Sequence, residues 1–99
     1  MVDEQRRKAL DAAMILQSPV FADTMQSIQD RAVEMWKVAK TAQEREEAWY
    51  LQRAVAILHR ELFNILQCAA VNAGGKDEAI NTELSKVKEK TNGRRKRSS

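Results

Sequence analysis

The fold is decided by residues 41–75, which read TAQEREEAWYLQRAVAILHRELFNILQCAAVNAGG. Thr41-Ala42-Gln43-Glu44 is a capping box, in which the side chains of the threonine and the glutamate accept hydrogen bonds from each other's backbone amides. Gly74-Gly75 supplies the left-handed stop that ends many helices. Between these signals the sequence predicts a single helix to about Ala73, which is about 48 Å long at ~1.5 Å per residue.

Two shorter helices are predicted before this one. The first runs from Asp3 to about Gln17 and the second from Pro19 to about Lys40, because serine at 18 is a good N-cap and proline is tolerated at the first helical position. Strong helix formers dominate the composition. We therefore expect an all-α fold, an antiparallel helical hairpin or three-helix bundle with a long third helix.

Each predicted helix carries an apolar stripe at helical spacing. On the first helix the stripe is Leu10, Ala13 and Met14, with Gln17 at its edge. On the second it is Phe21, Met25, Ile28, Ala32, Met35 and Ala39. On the third it is Leu51, Val55, Leu58, Leu62, Ile65 and Ala69.

The charge of the chain is concentrated at its C-terminal end. Residues 1–75 carry nine basic and ten acidic side chains, whereas residues 76–99 carry eight basic and four acidic ones. Ile80, Leu84 and Val87 form a short stripe, so a fourth helix over 77–90 is one alternative, and Arg94–Ser99 is expected to be disordered. The predicted division is a helical bundle domain over 1–75 and a weakly helical to disordered basic tail over 76–99.

The end of the third helix is apolar on nearly every side. The second helix is too short to cover it beyond about Leu62, and a helix that is apolar all round expects burial all round. One alternative is that the stripe after Gly74-Gly75 folds back over this segment. The favoured alternative is an interface with another copy or another protein, since exposed apolar patches usually mark interfaces. The expected contact residues are Phe63, Ile65, Leu66, Ala69 and Val71.

Two tryptophans flank the turn at Thr41. Trp36 and Trp49 are expected either to form a core plug between the helices or to contact a partner, because tryptophan is enriched at binding hot spots.

The basic tail is the clearest functional signal in the sequence. Arg94, Arg95, Lys96 and Arg97 would attract phosphate backbones through counterion release, although the tail contains no aromatic residue for base stacking. Alternatively, this run of cations forms a solubilising terminus or contacts an acidic protein surface.

Catalytic and metal sites are not predicted. His59 is the only histidine and is interpreted as a boundary residue, and Cys68, the only cysteine, as a buried, reduced thiol. Half a turn in azimuth separates the two along one helix, so they cannot form a nucleophile pair. Polar N-terminal residues and the lack of a ~20-residue apolar run argue against a signal peptide and a membrane span. We expect no enzyme activity, cofactor, metal, membrane or small-molecule substrate.

The chain resembles the small helical proteins that tailed phages and prophages encode near portal and DNA-packaging genes. The resemblance covers residues 5–66, and it rests on residue types and their spacing. The stretches that carry it are Arg6-Arg7-Lys8-Ala9-Leu10, Ser18-Pro19-Val20-Phe21, Ile28 with Trp36, Arg45-Glu46-Glu47-Ala48-Trp49, and Ala54 to Leu62.

This resemblance implies a protein of the host cytoplasm or the virion that acts by protein contact in particle assembly or DNA packaging. The alternatives are a nucleic-acid-binding accessory of the small packaging-motor subunit type, which would use the basic tail, and a small inhibitor of a host protein.

Overall fold

The computed structural model describes the backbone of residues 2–98 and the side chains of residues 3–90. Four helices account for the regular structure of this part of the chain: α1 (Val2–Gln17), α2 (Pro19–Val38), α3 (Ala42–Asn72) and α4 (Glu78–Ser98). The predicted all-α class is therefore confirmed for the described residues. The predicted ends of the first three helices agree with the structure to within two residues.

The turn before α3 contains the predicted capping interactions in a shifted form. The backbone amide of Glu44 donates to Thr41 Oγ1 at 3.1 Å. The glutamate side chain accepts from the backbone amide of Lys40, also at 3.1 Å, and not from that of Thr41. Both groups still satisfy backbone donors that a helix start leaves without an intrahelical partner.

A Schellman motif ends α3, and an aspartate starts α4. The amide of Gly74 donates to Val71 O at 2.9 Å and that of Gly75 to Ala70 O at 3.2 Å. Gly74 and Gly75 have φ values of 62° and 73°, in the left-handed region that glycine adopts without steric cost. Asp77 then caps α4, because its Oδ1 accepts from the amide of Ile80 at 3.4 Å.

Gly74→Ala should lower the free energy of unfolding by about 1 kcal/mol, because a Cβ at positive φ strains the backbone. A Cβ at this position would meet no atom within 4 Å, so crowding adds nothing to the cost. Urea denaturation followed by circular dichroism measures the change. Gly74→Asn is the control and should cost less, since asparagine tolerates this conformation. A Gly74→Ala protein as stable as the parent would contradict the assignment.

The structure contains two compact units. The first, which we call the terminal unit, comprises α1, the part of α3 from Leu62 onward, and α4. Its core consists of buried side chains from all three helices. These are Ala9, Ala12, Ala13, Leu16, Leu66, Ala69, Ala70, Ile80 and Val87.

Helix α1 buries a face that shares only Ala13 with the predicted stripe. Its buried residues are three alanines and Leu16, while Met14 is 68 % exposed and Leu10 is only half-buried. The predicted face is rotated from the observed one by about 100°, one residue step. The prediction followed the large side chains, whereas the alanines let neighbouring backbones approach closely.

Polar contacts tie α1 to α4 at both ends of α1. Arg6 Nε donates to Asp77 Oδ2 at 2.8 Å near the start of both helices. At the other end Gln17 donates to the Glu83 carboxylate, and Lys90 Nζ donates to Gln17 O at 3.3 Å. Residue numbers therefore increase in the same direction along both helices, so α1 and α4 lie parallel.

The second unit, which we call the central unit, comprises Pro19–Glu61, that is α2 and the first part of α3. Ala32, Ala48 and Val55 are its buried apolar residues. The predicted stripe of α2 is its least exposed face, since the other five stripe residues are all half-buried. The predicted division at residue 75 stays a prediction.

The predicted stripe of α3 departs from the buried face in two places. Leu58 and Ile65 are 47 % and 40 % exposed, whereas Leu66, which is not part of the predicted stripe, is fully buried. A strict seven-residue repeat drifts by about 20° per heptad on a straight helix. The buried face therefore moves from the Ile65 position to the Leu66 position near the end of α3.

Helix α4 continues beyond the predicted limit at residue 90. Its backbone is helical from Glu78 to Ser98, through Thr91-Asn92-Gly93 and the basic run. The predicted fourth helix is therefore present, and the predicted disordered tail is not confirmed.

Candidate interaction surfaces

The most prominent exposed apolar group lies on α3 in the central unit. Trp49, Tyr50 and Ile57 are 47 %, 56 % and 37 % exposed. At about 100° per residue they lie, with Arg53, on the side of the helix roughly opposite the buried Ala48 and Val55. We call Trp49, Tyr50, Arg53 and Ile57 the aromatic patch.

Contacts within the aromatic patch restrain its side chains. The rings of Trp49 and Tyr50 meet edge to face, with centroids 5.2 Å apart and planes inclined by 65°. The Arg53 guanidinium carbon lies 5.4 Å from the centroid of the Trp49 ring, within the range of a cation–π contact. The patch therefore presents two rings and a cation in a largely preset arrangement.

Glu46 restrains the Tyr50 side chain of the patch by a hydrogen bond. Its Oε1 accepts a hydrogen bond from the Tyr50 hydroxyl at 3.1 Å. This hydrogen bond, together with the nearby carboxylate charge, raises the pKa of Tyr50. The phenol is therefore a neutral hydrogen-bond donor at physiological pH.

The two tryptophans are each about half exposed. Trp36, on α2, is 51 % exposed, close to the value for Trp49. Neither side chain is a buried plug, so the predicted core role does not describe them. Their apolar area instead faces solvent within the central unit.

The five residues predicted as a protein interface divide into two groups. Leu66 and Ala69 are buried inside the terminal unit, where Ile80 and Val87 of α4 are buried as well. Ile65 and Val71 are exposed, and Phe63 is half-buried. The alternative in which the chain after Gly74-Gly75 covers the apolar end of α3 thus accounts for Leu66 and Ala69. Interface roles for Phe63, Ile65 and Val71 stay predictions.

A small cavity of about 60 Å³ lies beside the Arg6–Asp77 ion pair. It is lined by residues of all three helices of the terminal unit and of the turn between α3 and α4: Gln5, Arg6, Ala69, Asn72, Ala73, Asp77 and Ile80. The hydrogen bond from Arg6 is the main reason that the pKa of Asp77 is lowered. Asp77 therefore both caps α4 and ties it to α1.

Asp77→Asn should make the free energy of unfolding depend less on pH at acid pH. A carboxyl whose pKa is lowered by folding stabilises the protein above its ordinary pKa, and this stabilisation is lost as pH falls through the lowered value. The parent should therefore lose stability below about pH 4. The variant should lose less, because the asparagine amide does not titrate in this range, and asparagine still caps the helix. Urea midpoints between about pH 5 and pH 2 measure this. Parallel curves for the two proteins would contradict the role of the ion pair.

A shallower groove of about 550 Å³ also lies in the terminal unit. It is lined by Leu10, Met14, Gln17, Ser18, Glu83 and Lys86. The pKa of Glu83 is lowered, chiefly by the hydrogen bond from Gln17, so the groove holds a carboxylate at neutral pH.

His59 and Cys68, the two residues examined in the sequence as a possible metal ligand and nucleophile, both face solvent. Cys68 is exposed, so its predicted burial is wrong. The reason is its azimuth, which is about half a turn from that of Leu66. His59 is exposed too. Among residues with described side chains, no group of three or more His, Cys, Asp or Glu residues could hold a metal ion. The side chains of Arg94, Arg95, Lys96 and Arg97 lie outside the described side chains.

One helix of the described residues, α3, is long and apolar enough to cross a membrane when judged by length and composition alone. The expectation that the chain has no membrane span stays a prediction. Length and composition indicate a span only weakly, because the apolar stretch contains Arg60 and Glu61, and charged residues are costly at the centre of a bilayer. Within this stretch, 22 % is buried inside the protein.

Sequence reasoning missed three of the four members of the aromatic patch. Tyr50, Arg53 and Ile57 follow Trp49 at steps of one, four and eight, which places them on one side of a helix. This spacing was available as a signal. The interface was predicted at the end of α3 instead, because that segment is apolar on nearly every side.

Comparison of the chain with protein-family models, with curated proteins and with solved structures gave no match. The surfaces described above are therefore the basis for the functional argument.

Proposed function

We propose that this is a non-enzymatic protein that acts by protein contact through the aromatic patch. The observation that carries the proposal is the exposure of Trp49 and Tyr50 beside Arg53 on one side of α3. Tryptophan, tyrosine and arginine are the residue types most enriched at binding hot spots. Two large rings that are half exposed do not contribute the full free energy of burying their apolar surface. A partner that covers them would gain this free energy on binding.

The arrangement of the patch favours binding with little loss of side-chain freedom. Arg53 is held over Trp49, and Tyr50 is held by Glu46, before any partner arrives. Preset side chains lower the entropy cost of association. In the proposed arrangement α2 and the first part of α3 form an antiparallel hairpin that displays the patch on its outer side.

The setting that we propose follows the resemblance to small phage proteins. The protein would act in virion assembly or DNA packaging, in the host cytoplasm or the particle. The partner would be a second copy of the chain or another virion protein. The charged pair Arg60–Glu61 within α3 supports a water-soluble protein over a membrane-spanning one.

Co-purification of the tagged chain from its native source, followed by mass spectrometry, tests the proposal. Trp49→Ala combined with Tyr50→Ala should reduce recovery of the partner at least about tenfold, since hot-spot residues contribute about 2 kcal/mol or more each. Val20→Ala combined with Val38→Ala is the matched control, because both valines are exposed apolar residues of the same unit. The control should recover the partner normally.

Two outcomes would overturn the proposal. Equal recovery by the patch variant and the parent would show that the patch does not bind the partner. Capture of a single host protein at one-to-one stoichiometry would replace virion assembly by inhibition of that host protein. Light scattering of the purified chain separates self-association from binding to a second protein.

A further inference from the structure

Four positions occupied by lysine or arginine fall along one side of the α4 backbone. Its backbone is helical from Glu78 to Ser98. At about 100° per residue, the positions of Lys86, Lys90, Arg94 and Arg97 fall within about 80° of one another around the axis. We call these four positions the basic stripe. It extends over about 16 Å of the helix.

The basic stripe borders the packed face of α4, and its centre is turned away from that face. The buried residues Ile80 and Val87 lie about 75° around the axis from the centre of the stripe. Lys86 and Lys90 are exposed. Gln17, the last residue of α1, accepts a hydrogen bond from Lys90, so α1 ends level with this lysine. The backbone of α4 continues for about two turns beyond that point.

The charge of this segment is almost entirely positive. Residues 86–97 contain seven cations and one carboxylate, Glu89, which gives a net charge of +6. The contact of Lys86 with Glu83 is 3.5 Å long and exposed, and an ion pair of that kind holds a lysine only weakly. The stripe is therefore available to a polyanion.

The composition of this segment favours duplex nucleic acid over a lipid bilayer or single-stranded nucleic acid as the polyanion. Val87 is its only large apolar residue and is buried in the terminal unit, so the segment has no apolar face to insert into a lipid bilayer. Residues 76–99 contain no aromatic residue, so they offer no platform for stacking unpaired bases. What remains is a row of cations that matches a regular row of phosphates.

We propose that the basic stripe binds the phosphate backbone of duplex nucleic acid without reading its sequence. This inference goes beyond the protein contact proposed above and does not depend on it. It assigns Lys86 and Lys90 to the same surface as Arg94 and Arg97. It leaves Lys88, Arg95 and Lys96 on other sides of the helix.

Binding of the full chain to a short duplex DNA of mixed sequence, measured by fluorescence anisotropy over a range of salt concentrations, tests the inference. The stripe variant changes Lys90, Arg94 and Arg97 to glutamine. The control changes Lys88, Arg95 and Lys96 to glutamine, which removes the same charge. Each phosphate contact contributes about 0.9 to the slope of log affinity against log salt. The stripe variant should therefore lose about 2.7 from that slope, and the control less than about 1.

Circular dichroism should show equal helix content in the two variants, so that any difference in binding reports on the position of the charges. The expected result is affinity at low salt at least about tenfold weaker for the stripe variant than for the control. Equal losses for both would mean that net charge alone matters and would overturn the stripe. Absence of duplex binding by the parent, or tighter binding to anionic phosphatidylserine vesicles than to DNA, would overturn the inference as well.

Discussion

Leu66→Ala lowers the free energy of unfolding of the terminal unit by about 2–5 kcal/mol, the usual cost of truncating a fully buried leucine. Leu66 has no exposed surface, and it is one of the two largest fully buried side chains. Replacing its isobutyl group by a methyl group leaves a cavity in the core of the terminal unit, where residues of α1 and α4 are also buried. Urea denaturation followed by the helical circular dichroism signal measures the loss.

The adjacent residue provides the control for this prediction. Ile65 is 40 % exposed, and Ile65→Ala should cost less than about 1 kcal/mol because solvent already reaches that side of α3. The two substitutions remove the same number of carbon atoms and the residues differ only slightly in helix propensity, so a difference of more than about 1 kcal/mol between them reports burial. Similar costs for both would contradict the position of the buried face.

Ile80→Ala should have the second largest effect, also about 2–5 kcal/mol. Ile80 is 1 % exposed and is the first large apolar residue of α4. The loss would show that α4 is part of the folded core and not a helix that forms only marginally by itself. Thermal or urea unfolding of the full chain gives the value.

The control for Ile80→Ala is a substitution of an exposed residue on the same helix. Lys88→Ala removes an exposed side chain and should change stability by no more than about 0.5 kcal/mol. If Ile80→Ala were as mild as Lys88→Ala, α4 would not be packed as the structure shows.

The helices were predictable because their start and stop signals are local. Ser18-Pro19, Thr41 with Glu44, and Gly74-Gly75 act through hydrogen bonds between residues only a few positions apart. The extent of α4 was not predictable in the same way. Asn92 and Gly93 are poor helix residues, and the pattern gave no reason to continue through them.

Which faces pack was harder to predict, because packing depends on distant partners. The alanine face of α1 is buried because small residues allow close approach, whereas the apolar pattern favoured Met14 and Leu10. The apolar pattern did not distinguish Leu66, which is fully buried, from the adjacent Ile65, which is exposed. The aromatic patch was missed for a related reason, since the apolar end of α3 is the stronger pattern and obscured the spacing around Trp49.

The burial of Leu66 changes how a substitution there should be interpreted. An aspartate at this position would place a charge inside the terminal unit and unfold it, so any loss of partner binding would be indirect. Residues of the aromatic patch avoid this problem because they are exposed. Substitutions of these residues can therefore weaken partner binding without unfolding the protein.

The most direct test of protein contact through the aromatic patch is site-specific photo-cross-linking in the native source. A benzophenone amino acid would replace Tyr50 in one variant and Val71, which is 69 % exposed at the end of α3, in the other. The proposal predicts a cross-linked species of one defined mass from position 50 and none from position 71. A cross-link from position 71 with none from position 50 would contradict it and would place the interface at the end of α3.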